Sequence, residues 1–449
     1  MKRLRILPAL LALASPLAAQ EAPRRLTLDE ALRTAEENNP AYRSAQSETR
    51  VASARERQSL GAFLPQVSSS VSLGGTSSVQ RVGEDEFGNP FPSDRIVEST
   101  NSSTSHGMSL DVPLFQRGRM GELQAARADR STTAAGVQVE RGRLRGEVTR
   151  RYHDALRAER MIELEERLLA SARERLEATQ RLFRIAAQGM TEVLGAEVEV
   201  ARQEQAVEQA RGDARKTRLL LGETVGTLAV ADAALASEPA PIFDPAALRA
   251  DSLVALALRV HPRVAQAASA VTATGHRASA ARGQRWPTLS ARAGYSRSLR
   301  RAEYDAVSSA FNPFDPFDRS LTLGFSLSLP VFDQFRTSLQ TAQADAARTR
   351  AQETLRSARL TTEREVRSAL IDLENAFRGS RLAERAARLS QERLEMAREQ
   401  YRASAIRFTD LQAVVDRTAQ AERDALRARF EFASALATLE ERVGAPVGR

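Results

Sequence analysis

The sequence predicts a mainly α-helical chain with a transmembrane β-barrel portion, built as a two-fold internal repeat. Three observations predict it. One succession of short motifs occurs twice, each half holds a helical stretch of about 70 residues, and each half holds two segments of strict apolar–polar alternation.

The chain opens with the basic stretch Met1-Lys2-Arg3-Leu4-Arg5, an apolar run from Ile6 to Leu17, and the small residues Ala18 and Ala19. This is the pattern of a secretory signal peptide, placed at 1–20, with cleavage expected after Ala19 or Gln20. The run is too short for a spanning helix, which needs roughly 20 apolar residues. No later apolar run approaches that length, so any membrane crossing must be made by strands of a closed barrel. Cysteine is absent, which removes disulfides, thiolate metal sites and a lipidated N-terminal cysteine from consideration.

The formal charge is +8, but Lys2, Arg3 and Arg5 belong to the leader. Arginine and glutamate otherwise alternate along helical segments, as in Arg173-Glu174-Arg175-Leu176-Glu177. A nucleic-acid partner would call for basic charge gathered on one face; this mixture instead describes a solvated helix surface.

The first repeat, 26–226, opens with Leu26-Thr27-Leu28-Asp29-Glu30-Ala31-Leu32 and reaches Asn39-Pro40. The second, 248–444, has Asp251-Ser252-Leu253-Val254-Ala255-Leu256-Ala257 and reaches His261-Pro262. Pro65 and Pro287 stand at matching offsets, Val112-Pro113-Leu114-Phe115 is echoed by Leu329-Pro330-Val331-Phe332, and the halves end on Val225-Gly226 and Val443-Gly444. A linker, 227–247, carries the proline-rich phrase Ser237-Glu238-Pro239-Ala240-Pro241.

Each half reads as an entry helix (29–62, 250–284), two strands around a long loop, a long helix (117–187, 334–403) and a return helix (190–223, 408–442). At ~1.5 Å per residue the long helix spans roughly 105 Å, so its partners must be equally long helices. Ile162, Leu169, Leu176 and Phe183 fall seven apart, as do Leu382, Leu389 and Met396, which predicts apolar seams against neighbouring helices.

The strands alternate. Leu321, Leu323, Phe325, Leu327 and Leu329 are apolar, with small or polar residues between them. Leu289, Ala291, Ala293 and Tyr295 do the same, as do Met108, Leu110 and Val112, and more weakly Val67, Val71 and Leu73. About ten residues suit a membrane strand, yet four strands cannot close a barrel, which starts at about eight, so several chains must pool theirs. The loops, expected at 79–101 and 301–319, share the phrases Phe87-Gly88-Asn89-Pro90-Phe91 and Phe311-Asn312-Pro313-Phe314.

With these motifs in order in both halves, the chain resembles the TolC family of outer-membrane efflux proteins across its mature length. The carrying residues are Leu26–Leu32, Asn38-Asn39-Pro40, Leu64-Pro65, Pro113-Leu114-Phe115 and Pro330-Val331-Phe332. The resemblance implies a homotrimer with a twelve-stranded barrel in the outer membrane and a helical tunnel in the periplasm, with the linker in an equatorial region. It implies partners as well, a periplasmic adaptor protein and an inner-membrane transporter, and a role as the passive exit duct of an efflux or type I secretion system.

The resemblance also places function at the hairpin turns. Asp410 matches an acid of an entrance ring, although Ala413 stands where a second acid is common. Thr191 and Glu192 match a threonine–acid pair, Tyr401 an aromatic said to lock the closed state, and Arg407 lies beside the position of a family arginine, here Ile406. Gly189, Met190, Val193, Leu194, Phe408, Thr409 and Leu411 are the expected adaptor-contact residues. Three carboxylates converging on an axis would repel one another and attract cations; alternatively Asp410 and Glu192 are first-turn acids that cap their helices.

No catalytic motif appears: His106, His153, His261 and His276 are scattered, and no glycine loop suited to phosphate is present, so no enzyme activity, metal or cofactor is expected. The alternative, a soluble periplasmic coiled-coil adaptor or scaffold, explains the helices but not the four strands.

Overall fold

The computed structural model describes residues 25–84, 90–185, 189–236, 241–304, 317–403 and 405–447. The leader, the Ser237–Ala240 part of the linker phrase, Phe87-Gly88-Asn89 and Phe311-Asn312-Pro313-Phe314 lie outside the described residues. In chain order the elements are β1 (Arg25–Leu26), α1 (Leu28–Asn38), α2 (Pro40–Gly61), β2 (Gln66–Glu84), β3 (Pro90–Phe115), α3 (Gly118–Arg184) and α4 (Met190–Val225). There follow β4 (Ala234–Leu235), α5 (Ala250–Val260), α6 (Pro262–Gly283), β5 (Thr288–Tyr304), β6 (Phe317–Ser328), α7 (Arg336–Arg402) and α8 (Phe408–Val443).

Each expected entry helix is two helices. Proline disfavours the helical conformation in the residue before it, and Asn39 (ψ 123°) and His261 (ψ 123°) are both extended, so the chain turns and restarts at Pro40 and Pro262. The α1 start is a reciprocal cap: the Thr27 hydroxyl accepts from the Glu30 amide at 3.2 Å, and the Glu30 carboxylate accepts from the Thr27 amide at 2.9 Å. The return helices α4 and α8 each end on a left-handed glycine, Gly226 (φ 88°) and Gly444 (φ 78°). A Cβ on Gly226 would stand 2.6 Å from the Asn38 carbonyl oxygen, so this turn needs glycine for space as well as for φ.

Two compact units divide α3 between Glu140 and Arg141 and α7 between Val366 and Arg367. In one, the far parts of α3 and α7 pack with α1, α4 and α8 around buried Tyr152, Leu221, Leu373, Phe432 and Leu439. Phe432 meets Phe243 edge-on at 5.6 Å between centroids and Phe377 at 6.3 Å. The short β1 and β4 pair in parallel here, and the buried Tyr152 hydroxyl donates to the Leu26 carbonyl at 2.9 Å.

The other unit holds α2, α5, α6 and the near parts of α3 and α7 with an antiparallel sheet of order β2-β3-β5-β6. Its register aligns like with like. Val67, Leu110, Ala293 and Leu323 form one row, and Ser68, Ser109, Gly294 and Thr322 the next, on the opposite face. The strands run longer than expected, with 19 and 26 residues in β2 and β3, and the β2–β3 ladder continues past Val79↔Glu98, where a loop was expected over 79–101. Serine, threonine and valine there keep pairing without an apolar face, so alternation understates the strand. β5 likewise extends to Tyr304, and β6 resumes at Phe317, inside the expected loop 301–319.

The seam expected at Leu382, Leu389 and Met396 is exposed in the single chain. The face of α7 turned inward carries Ala383, Ala387, Ser390, Leu394, Ala397 and Tyr401 instead, and the Thr418 hydroxyl of α8 donates to the Ser390 carbonyl at 3.1 Å. Small residues at these positions let the two helices of a hairpin approach closely, which larger leucines would prevent. On α3, Ile162, Leu169 and Leu176 are half-buried and Phe183 is exposed. Among the described residues no helix is long and apolar enough to cross a membrane.

Candidate functional site

The two hairpin turns, α3 to α4 and α7 to α8, have one design. Gly189 (φ −89°, ψ 166°) and Arg407 (φ −80°, ψ 160°) are extended residues preceding α4 and α8. Three residues on, the carboxylates of Glu192 and Asp410 reach back and accept from the Gly189 amide at 3.1 Å and the Arg407 amide at 3.3 Å. Each acid satisfies an otherwise orphaned amide and sits at the positive end of its helix. The capping geometry is therefore present at both positions, and Asp410 remains solvent-exposed while doing it.

Gly189, Met190, Thr191, Leu194, Arg407 and Thr409 are exposed, whereas Val193 and Leu411 are buried. Val193 and Leu411, expected as contact residues, are thus buried within the single chain, while Met190 and Leu194 beside them on α4 are not. Leu411 joins Ala397, Val414 and Val415 in a small core against which Leu394, Tyr401 and Ile406 pack. The Tyr401 ring lies 6.3 Å from Phe408, tilted by 59°. Phe408 in turn lies over Gly195 of α4, where an added Cβ would come within 3.2 Å of the ring. Tyr401, Phe408 and Gly195 thus form a contact path from one hairpin to the other.

About two to five turns from the hairpin ends, given the helical repeat, lies a polar network that the sequence patterns above did not point to. The Glu165 carboxylate accepts both arms of the Arg423 guanidinium at 2.7 and 2.8 Å and the Gln203 amide at 2.5 Å, joining α3, α8 and α4. Burial pushes this carboxyl up, but the Arg423 and Gln203 hydrogen bonds and the Arg423 charge outweigh it and hold it below the usual range. Glu199 is the opposite case: burial first, then the neighbouring Asp416, pushes it up against the opposing pull of Arg202 and Arg175. Arg175 is pulled down by burial, and it and Arg398 both donate to the Ser171 hydroxyl, at 2.8 and 3.4 Å. A signal was available. Glu165, Ala172 and Thr179 are seven apart and all buried, so a charge occupies a core heptad position.

No group of His, Cys, Asp or Glu able to hold a metal occurs among the described residues. The sheet face carrying Ser68, Ser109, Gly294 and Thr322 also holds Asp111 and Arg292, paired at 2.8 Å. The other face presents Leu321, Leu323, Phe325 and Leu327 at 71–82 % exposure, a density of apolar surface suited to lipid.

The sequence profile of outer membrane efflux proteins matches residues 31–227 and 253–445. No curated protein matches in sequence. Among solved structures, a membrane protein from Pseudomonas aeruginosa superposes with a TM-score of 0.75 at 19% identity, covering 98% of each chain. The CusC structure, described with transmembrane channel formation, gives 0.74 at 17% identity over 98% of this chain and 99% of that one. The Campylobacter jejuni CmeC outer membrane channel gives 0.73 at 14% identity over 99% of this chain and 94% of that one.

Proposed function

The chain belongs to the outer membrane efflux protein family, and from that membership we propose that it is one subunit of a homotrimeric, passive exit duct serving a tripartite efflux or type I secretion system. The carrying observation is the open four-stranded sheet, whose edges β2 and β6 have no strand beyond them among the described residues and whose one face is mainly apolar, with Leu321, Leu323, Phe325 and Leu327 exposed on it. Open edges are not tolerated in lipid. Three copies supply twelve strands, which close a barrel of ordinary size with the serine- and glycine-rich face lining the channel. The segment 1–20 directs export and is removed. Repeats 26–226 and 248–444 contribute equivalent hairpins to a periplasmic tunnel, and 227–247 joins the equatorial region.

The exposed Leu382, Leu389 and Met396 of α7 fit this assembly as a seam against a sister copy. A soluble scaffold would leave both this seam and the leucine-rich sheet face in water.

At the tunnel entrance, Asp410 of each copy forms the acidic ring, with Glu192, Thr191, Arg407 and Tyr401 around it. Its bond to the Arg407 amide sets the direction of the carboxylate and leaves its charge available. The exposed Gly189, Met190, Leu194 and Thr409, with half-buried Phe408, form the surface for a periplasmic adaptor, which links the duct to an inner-membrane transporter that supplies the energy. Single-channel recording in a planar bilayer tests the ring: Asp410→Asn is expected to weaken block by divalent cations at least about tenfold, and unchanged block would refute the assignment.

A further inference from the structure

The mainly apolar face of the sheet carries one row in which basic residues stand side by side on three strands. Cross-strand register aligns Val71 with His106, His106 with Arg297, and Arg297 with Arg319. All three basic residues share the parity of the apolar face: His106 follows Leu110 and Met108, Arg297 follows Ala293 and Tyr295, and Arg319 precedes Leu321 and Leu323. They are exposed, and the His106 ring is within 3.2 Å of the Ser69 hydroxyl on the same face. Neighbouring strands lie about 4.8 Å apart, so the row puts three basic groups within roughly 10 Å. On this face, over 67–73, 104–112, 289–299 and 319–327, no acidic residue occurs.

The height of the row is informative. β5 starts beside α6 and β6 ends beside α7, so the row of Leu289 and Leu327 marks the helix side of the sheet. Arg297 is eight residues further on, roughly 27 Å along the strand and about 20 Å of height at the usual barrel tilt. A lipid-facing apolar band is about 25 Å tall, and cations on that face are costly at the midplane but nearly free at its border. The row therefore falls near the border remote from the helices, at the headgroups of the outer leaflet.

Resting on the barrel reading above, we propose that His106, Arg297 and Arg319 form a binding site for the phosphate groups of phosphorylated lipid in the outer leaflet, repeated on each subunit. Two guanidiniums and an imidazole side by side suit a headgroup with more than one phosphate, through charge-assisted hydrogen bonds. Lipid held at this girdle would fix the depth and tilt of the barrel wall.

The test uses the full chain reconstituted into phosphatidylcholine nanodiscs doped with bisphosphorylated lipid A or with its enzymatically dephosphorylated form, and native mass spectrometry to count retained lipid. The native protein is expected to retain the phosphorylated form roughly tenfold or more over the dephosphorylated one. Arg297→Gln/Arg319→Gln should bring that ratio close to one, and Arg297→Lys/Arg319→Lys should preserve most of it. Arg292→Gln, on the same strand but the opposite face, should leave it unchanged. If the double glutamine variant fails to assemble, each single substitution is read in its place and should lower the ratio. Equal retention of both lipids by the native protein, or an unaltered ratio in the glutamine variants, would overturn the proposal. Failure of the native chain to enter the discs would overturn the barrel reading, and this site with it.

Discussion

Glu165 carries a carboxylate into a heptad core position and keeps it ionised there through Arg423 and Gln203. Removing one partner of a buried pair strands the other, so Arg423→Gln is expected to destabilise the hairpin region by about 3 kcal/mol, the lower end of the usual range because Arg423 stays partly hydrated. A lower thermal midpoint of the solubilised protein checks it. Because the folded pKa of Glu165 is depressed, its contribution is complete above the unfolded carboxylate range, about 4.3, and is lost as pH falls through the lower folded value. Glu199 has the opposite sign: its raised pKa means the charged form opposes folding above that value. Glu199→Gln should therefore raise the thermal midpoint at neutral pH, and the gain should shrink as the medium is acidified through the folded pKa. The Phe432 ring is fully buried between Phe243 and Phe377, so Phe432→Ala should cost about 3–5 kcal/mol, seen as loss of folded protein in the membrane fraction.

At the scale of elements, the exposed stripe of α7 yields a prediction that separates folding from assembly. Replacing Leu382, Leu389 and Met396 together by glutamine should leave helix content by circular dichroism nearly unchanged while shifting the solubilised particle from trimer to monomer in light scattering. Loss of helix content would show instead that the stripe packs within its own chain. The long helices were legible to within a few residues, because heptads and the absence of internal proline mark them, and the alternating membrane rows were legible for the same local reason. The extended parts of β2 and β3 were not. Beyond the apolar band the strict alternation lapses, so Ser77, Ser78 and Thr100 pair in the ladder without a periodic signal. The α7 seam was visible as a heptad, but which helix covers it depends on the small residues beside it. Glu165 and Arg423 are 258 positions apart, so their pairing had no local trace. The acids at the hairpin turns were legible by position, and their capping bonds follow from standing three residues after the helix boundary.

For the whole molecule, duplication explains the economy of the design. Two copies of one strand-pair and hairpin unit give a sheet with two free edges among the described residues and helices too long to bury themselves, so one chain is incomplete in a membrane. The central claim is that strands of separate copies close one wall. Electron cryomicroscopy of the full chain in a lipid nanodisc tests it most directly. Three copies about one axis are expected, with β2 of each beside β6 of the next in a twelve-stranded cylinder whose Leu323 and Phe325 face lipid. A particle in which one copy closes its own sheet, or in which those leucine-rich faces pack inward away from lipid, would contradict it.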